Sequence, residues 1–150
     1  MQDKHIASVF DRDLETIHAQ IMKMGGLVEV AIKEAAHSLE TRDEERAEKV
    51  RNGDKAIDAL EEAINEESAR LIALRAPTAI DLRLVLSVMK ISGNLERIGD
   101  YAKNMAKRTR VLNRMVPVND SAAALRRICS QLTSILTGPL PPGSSDHTPW

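Results

Sequence analysis

Residues 70–81 read RLIALRAPTAID, and the single proline in this stretch separates two long helical patterns. A proline disfavours the α conformation in the residue before it, so Pro77 predicts that a helix ends near residue 75. Thr78, with Asp81 three residues later, predicts the cap of a new helix immediately afterwards. So short a connection makes the two helices antiparallel neighbours. The stretch therefore predicts a helical hairpin.

Three apolar stripes with steps of three and four residues extend outward from this hairpin. Such steps place every member of a stripe on one face of a helix. Ser8 and Thr41, each followed by an acid three residues later, predict the starts of the first two helices. The third stripe includes Leu84, Ile91 and Leu95. The sequence thus predicts an all-α fold, an antiparallel three-helix bundle with helices at about 8–40, 43–75 and 78–114.

Composition narrows the class of protein further. A length of 150 residues suggests one domain, and an aromatic content of 2% disfavours an all-β fold. The formal net charge of −1 argues against a domain that binds nucleic acid through bulk positive charge. Cys129 has no second cysteine with which to form an intramolecular disulfide. Because no signal peptide or membrane span is recognisable either, we expect a cytoplasmic protein.

The chain changes character after Pro117. Residues 121–136 resume a helical pattern and predict a fourth helix. Residues 137–150 concentrate proline, glycine and serine, a composition that leaves little apolar surface to bury. We therefore expect this tail to be disordered.

The most informative residues are carboxylates on or beside the apolar stripes. Asp58 and Glu96 lie 19 residues on either side of Pro77, and Asp54 and Asp100 lie 23 residues on either side. At about 1.5 Å rise per residue, equal offsets place these side chains at equal heights on antiparallel helices. Clustered carboxylates repel one another unless a cation lies among them, and divalent cations accept oxygen ligands. The four residues are candidate metal ligands.

Alternatives remain open for these acids. Acids spaced by four are common on solvated helix faces, and Glu44 and Glu48 illustrate that case. A classical di-iron oxidase would need Glu-x-x-His on two helices, and the histidines do not follow that spacing. His18 and His37 are better interpreted as surface residues. The adjacent Gly25 and Gly26 suggest a close backbone approach or room for a bulky group.

A basic run follows the acids on the third helix. Cations near a helix C-terminus complement its dipole, so a solvated helix end is the default interpretation and a docking patch for an acidic partner is the alternative. The run comprises Lys103, Lys107, Arg108, Arg110 and Arg114.

Four segments of the chain strongly resemble the PhoU family of phosphate-response regulators. They are DKAIDALE at 54–61, RLIALRAP at 70–77, DLR at 81–83 and LERIGDYAKNMA at 95–106. The similarity extends over roughly residues 5–130. LERIGD followed by A-x-N is a specific signature when it ends a three-helix unit, whereas a lone E-x-x-x-D is not.

The resemblance implies a fold, a site and a function. Family members contain two tandem three-helix repeats whose D/E-x-x-x-D motifs bind metal clusters, iron or zinc among them. The matching residues here are Asp54, Asp58, Glu96 and Asp100, with Asn104 as a companion. Members are not enzymes, often form homodimers, and connect the ATPase of an ABC phosphate transporter to a sensor histidine kinase. They restrain the phosphate-starvation response and modulate phosphate uptake.

The resemblance also implies a domain division. Residues 5–116 correspond to one PhoU-type repeat, 117–136 to a linker and the partial first helix of a second repeat, and 137–150 to an unrelated tail. We therefore expect a regulatory adaptor of phosphate homeostasis truncated to about one repeat. The alternatives are a small carboxylate-bridged metal-dependent enzyme, for which no catalytic base stands out, and a metal-free helical interaction module.

Overall fold

The computed structural model describes residues 2–115 and 121–138 of the chain. Four helices account for nearly all of them, and these two ranges contain no strand. The helices are α1 (Gln2–Thr41), α2 (Glu44–Arg75), α3 (Ala79–Leu112) and α4 (Ser121–Thr137). Helices α1, α2 and α3 pack against one another, and α4 packs on α1. The predicted three-helix bundle is confirmed; most of the predicted tail lies outside the described residues.

The turns between the helices follow from local chemistry. Asp43 is the N-cap of α2, and its Oδ1 accepts a 2.9 Å hydrogen bond from the Arg46 backbone N–H. This backbone hydrogen bond holds the pKa of Asp43 below its ordinary value. The predicted cap at Thr41 is wrong: this residue ends α1, and its hydroxyl donates to the carbonyl oxygen of His37.

The second turn lies at the predicted proline. Ala76 ends α2 with φ 42° and ψ 61°, in the left-handed region, and Pro77 follows. Thr78 is the N-cap of α3, as predicted, but its hydroxyl donates to the Asp81 carboxylate rather than accepting from a backbone N–H. The predicted start of α1 at Ser8 is also wrong, because the helix already begins at Gln2.

The core is a continuous aliphatic cluster at the centre of the three long helices. Each fully buried Ile or Val side chain contributes about 1.5–3 kcal/mol. Buried members with 2% exposure or less include Ile17, Met24, Val28, Ile57, Ile64 and Val85. A polar contact also lies inside the bundle: Ser38 Oγ and Thr109 Oγ1 are 3.1 Å apart and both side chains are fully buried.

The buried face of α3 differs from the predicted stripe. Leu84 and Ile91 are 45% and 46% exposed, whereas Val85 and Ser92 at the next positions are fully buried. Most other members of the predicted stripe are buried or pack against the core. The predicted face is therefore right over most of α3 and wrong at Leu84 and Ile91.

No helix within the described ranges is both long enough and apolar enough to span a membrane.

Candidate functional site

The acidic residues of α2 and α3 meet at the heights that the sequence predicts. A Cβ built on Gly93 would lie 3.6 Å from Glu61 Oε1, and one built on Gly99 would lie 3.8 Å from Asp54 Oδ1. Glu61 and Gly93 are equally far from Pro77 along the chain. Five acidic side chains therefore lie close together where α2 and α3 face each other. We call this group the acid cluster; it comprises Asp54, Asp58, Glu61, Glu96 and Asp100.

Gly99 explains how closely the two helices approach. A Cβ at this position would lie 3.1 Å from Ile57 Cδ1 and 3.3 Å from Ile57 Cγ2, closer than ordinary van der Waals contact. Because Ile57 is 2% exposed, it has little room to move. The glycine therefore lets α2 pack directly on the α3 backbone beside Asp54. In contrast, a Cβ on Gly25 or Gly26 would meet nothing within 4 Å, so of the two expectations for these glycines the structure shows open space and not a close backbone approach.

Asp54 is the buried member of the acid cluster. It is only 3% exposed, although it carries a carboxylate. Its Oδ2 forms an ion pair with Lys103 Nζ on α3, whereas its buried Oδ1 has no hydrogen-bond partner in the described part of the chain. Lys103 Nζ also lies 3.6 Å from Asp100 Oδ1. The ammonium group therefore ties α2 to α3 through Asp54, and its second contact, to Asp100, lies within α3.

The other acids of the cluster influence one another's pKa values. Partial desolvation, followed by repulsion from Asp54, raises the pKa of Asp58 above its ordinary value. Desolvation also raises the pKa of Glu96, with further contributions from Asp100 and Glu61. The pKa of Lys103 is raised as well, by its hydrogen bond to Asp54, and a raised pKa keeps a lysine charged. The region thus carries more negative charge than its single ammonium balances.

Two residues change their interpretation in the structure. Lys103 was placed by its sequence in a solvated basic run, but its side chain is 30% exposed and contacts the acid cluster. The signal was available, since Lys103 follows Asp100 by three residues and thus shares its helix face. Asn104, the expected companion ligand, is exposed, and within the described residues its side chain hydrogen-bonds to none of the carboxylates.

The predicted metal site has suitable donors but not a closed geometry. In residues 2–115 and 121–138, no three Asp, Glu, His or Cys side chains converge closely enough to hold a metal ion as they stand. Oxygen-only donors suit hard divalent cations, and the unpartnered Oδ1 of Asp54 is a free buried acceptor. These donors are chemically suited to a metal ion. The Lys103 ammonium supplies positive charge beside the same carboxylates. His18 and His37 are exposed, as predicted for surface residues.

The chain matches the family model described as the PhoU domain over residues 21–109. It is 46% identical over 115 residues to the phosphate-specific transport system accessory protein PhoU homolog of Zymomonas mobilis, covering 77% of this chain and 48% of that protein. It is 43% identical over 105 residues to the phosphate-specific transport system accessory protein PhoU of Escherichia coli, covering 70% and 44%. The chain spans about half the length of these curated relatives.

A solved structure gives the same result for the fold. The crystal structure of PhoU from Pseudomonas aeruginosa superposes with a TM-score of 0.81 at 36% sequence identity. The match covers 85% of this chain and 61% of that one. The helical arrangement is therefore shared well beyond the segment matched by the family model.

Proposed function

Because the chain belongs to the PhoU domain family, we propose that it is an accessory protein of phosphate-specific transport that restrains the phosphate-starvation response. The single observation that carries this proposal is the family match across residues 21–109, which includes all three long helices in part. The relatives named above are accessory proteins of phosphate transport, so no catalytic step is part of this role.

The proposed mechanism is contact with partners rather than chemistry. We propose that the bundle binds the ATPase of an ABC phosphate transporter and a sensor histidine kinase, in the cytoplasm and as a homodimer. Binding to both would couple transporter state to kinase output and thereby modulate phosphate uptake. The exposed basic side chains Lys107 and Arg108 on α3 offer a surface for an acidic partner.

A reporter experiment tests this role. The gene is deleted in its host, and a phosphate-starvation promoter is measured in phosphate-rich medium. We expect derepression in the deletion strain and restored repression when the chain is supplied from a plasmid. A deletion strain that keeps the promoter fully repressed in rich phosphate contradicts the proposal.

We also propose that the acid cluster binds a divalent or trivalent metal ion, iron or zinc among the candidates. The ligands would be Asp54, Asp58, Glu96 and Asp100, with Asn104 nearby. When bound, the ion would supply positive charge that offsets the repulsion between α2 and α3. Support comes from the unpartnered Oδ1 of Asp54 and from the raised pKa values of Asp58 and Glu96.

Metal analysis of protein purified without chelator tests this second proposal. We expect bound metal in the wild type and its loss from the Asp54→Ala, Asp58→Ala double variant. The matched control is Glu62→Ala, Glu66→Ala, which removes two exposed acids four residues apart on the same helix. Equal metal content in all three proteins contradicts the site. Measurable turnover by the metal-loaded protein would instead favour the metal-dependent enzyme.

A further inference from the structure

Lys103 differs from the other ion-paired bases of the described residues. Its partner Asp54 is 3% exposed, whereas the acids of the other ion pairs that the described side chains form are at least 24% exposed. The pair joins α2 to α3, and the second contact, to Asp100, stays on α3. Lys103 is therefore the cation that compensates the buried charge of the bundle.

The acid cluster contains more acidic side chains than its lysine can neutralise. Asp54, Asp58, Glu61, Glu96 and Asp100 carry five negative charges when ionised, against the one positive charge of Lys103. The metal site proposed above uses the carboxylates of Asp54 and Asp100, and the Lys103 ammonium already contacts one oxygen of each. Two cations on the same carboxylates would repel each other strongly, because like charges a few ångströms apart in a partly buried site are poorly screened.

The lysine has a route out of the cluster. Its side chain is 30% exposed, so the ammonium lies at the edge of the site rather than enclosed in the core. A lysine has a flexible four-carbon stem and carries its charge as a compact group that water solvates well. Asp54, in contrast, is fixed by burial beside Gly99 and Ile57. The movable partner of the pair is therefore the base.

We propose that Lys103 is a tethered cation that occupies the acid cluster in the metal-free protein and must swing into solvent before a divalent metal ion binds there. This inference rests on the metal site proposed above. It makes metal binding a competition between an internal and an external cation. The ion pair between Asp54 and Lys103 exists in one state, and a metal contact to Asp54 exists in the other.

Replacing the lysine separates the two states. In Lys103→Met the side chain keeps its length and loses its charge, so a metal ion meets no competitor. We expect the dissociation constant for Mn²⁺ or Zn²⁺, measured by calorimetry on metal-stripped protein, to fall by about tenfold or more, which corresponds to about 1.4 kcal/mol. We also expect the metal-free variant to melt several degrees below the wild type, because Asp54 loses its buried partner.

Two control variants make the result specific. Lys107→Met removes an exposed positive charge one turn further along α3 and should change neither the affinity nor the melting temperature. Lys103→Arg keeps the charge and should restore both the weaker metal binding and the stability of the metal-free protein. If Lys103→Met does not fold, Lys103→Gln serves as the uncharged variant.

The outcomes separate this inference from the proposals on which it rests. Metal binding by the wild type with unchanged affinity in Lys103→Met overturns the competition and leaves the metal site standing. Absence of Mn²⁺ and Zn²⁺ binding in both proteins overturns the metal site and the competition together. Neither result bears on the phosphate-accessory role, which the promoter experiment tests independently.

Discussion

Asp58 and Glu96 give the stability of the folded chain an unusual dependence on pH. Their raised pKa values mean that the folded chain holds these protons more tightly than the unfolded chain does. The stability that protonation contributes is fully present below the ordinary carboxyl pKa and is lost as the pH rises through the raised folded pKa. These two groups therefore act opposite to carboxylates whose pKa is lowered in the folded state, such as Asp43.

The pH dependence can be tested with one isosteric change. We expect Asp58→Asn to raise the free energy of unfolding at pH 7 in the presence of chelator, since the repulsion from Asp54 disappears. The gain should shrink as the pH falls towards 4, where the wild-type carboxyl also becomes neutral. Urea unfolding at both pH values measures the difference, with Glu66→Gln as the exposed control. A loss of stability at pH 7 would contradict the prediction.

Gly99 and Gly53 should respond in opposite directions to the same substitution. A Cβ at Gly53 meets nothing within 4 Å, so Gly53→Ala should stabilise the protein by roughly 0.5–1 kcal/mol through helix propensity. At Gly99 a Cβ would press on buried Ile57, and overpacking costs about 1–3 kcal/mol. We therefore expect Gly99→Ala to give a net loss of about 1 kcal/mol in thermal or urea unfolding. Stabilisation by both substitutions would contradict the predicted clash between a Cβ at Gly99 and Ile57.

The sequence predicted the heights of the acids correctly because proline fixes the hairpin and helical rise is constant. It did not predict the ion pair of Lys103, because a lysine in a basic run is usually solvated and its reach across to α2 depends on the separation of the helices. That separation is set by Gly99, whose role is not apparent until the neighbour Ile57 is known. The direction of the helices and the height of each acid along them could be predicted, but the distance between α2 and α3 could not.

Two helix ends of the bundle have a strained backbone conformation. Arg42 and Ala76 both have positive φ, and neither is a glycine. An alanine in the left-handed region costs about 1–2 kcal/mol relative to the right-handed one, and Pro77 disfavours the right-handed alternative. The short turn between α2 and α3 therefore holds Ala76 in this conformation.

Substitution at Ala76 tests this strain. We expect Ala76→Gly to raise the free energy of unfolding by about 0.5–1 kcal/mol, because glycine adopts the left-handed region without a steric penalty. Ala73→Gly, at an exposed position inside the last turn of α2, should instead lower it by about 1 kcal/mol. Guanidinium unfolding of both variants measures the contrast, and destabilisation by both would refute the strain.

At the level of elements, the sequence predicted helix type and turn position well and the buried face of α3 less well. Leu84 and Ile91 fit the apolar period but are exposed, whereas Val85 and Ser92 at the next positions are buried. A helix that is apolar on two adjacent faces leaves its rotation undetermined by period alone. Packing against the neighbouring helices decides the rotation, and it buries Val85 and Ser92 in place of Leu84 and Ile91.

The whole molecule leaves an apolar surface on α4. Ile128, Leu132 and Ile135 are 54%, 43% and 77% exposed and share one face of this helix. A second copy of the chain presents the same face, so a two-fold contact would bury both sets at about 1.5–3 kcal/mol for each fully buried side chain. This surface is our candidate contact for the proposed homodimer.

Sedimentation at increasing concentration tests the contact. We expect the wild type to associate and Ile128→Lys, Ile135→Lys to remain monomeric, because two charges would have to be buried in the dimer. Met22→Lys, Val30→Lys adds the same charge at exposed positions on α1 and serves as the control. A wild type that stays monomeric at high concentration would contradict the proposal.

Chemical labelling of Cys129 can report how often α4 detaches from the bundle. This thiol is 4% exposed, lies 3.9 Å from Met105 Sδ, and its pKa is raised by burial. Because little of the thiol is exposed, its labelling by a thiol reagent should accelerate when α4 lifts from α1, and the chain contains no other cysteine to confuse the signal. The labelling rate compared with that of the unfolded chain therefore reports how often α4 detaches. We expect Arg126→Ala, which removes the 3.0 Å ion pair to Glu40, to accelerate labelling slightly, since a partly exposed pair contributes about 0.2–1 kcal/mol.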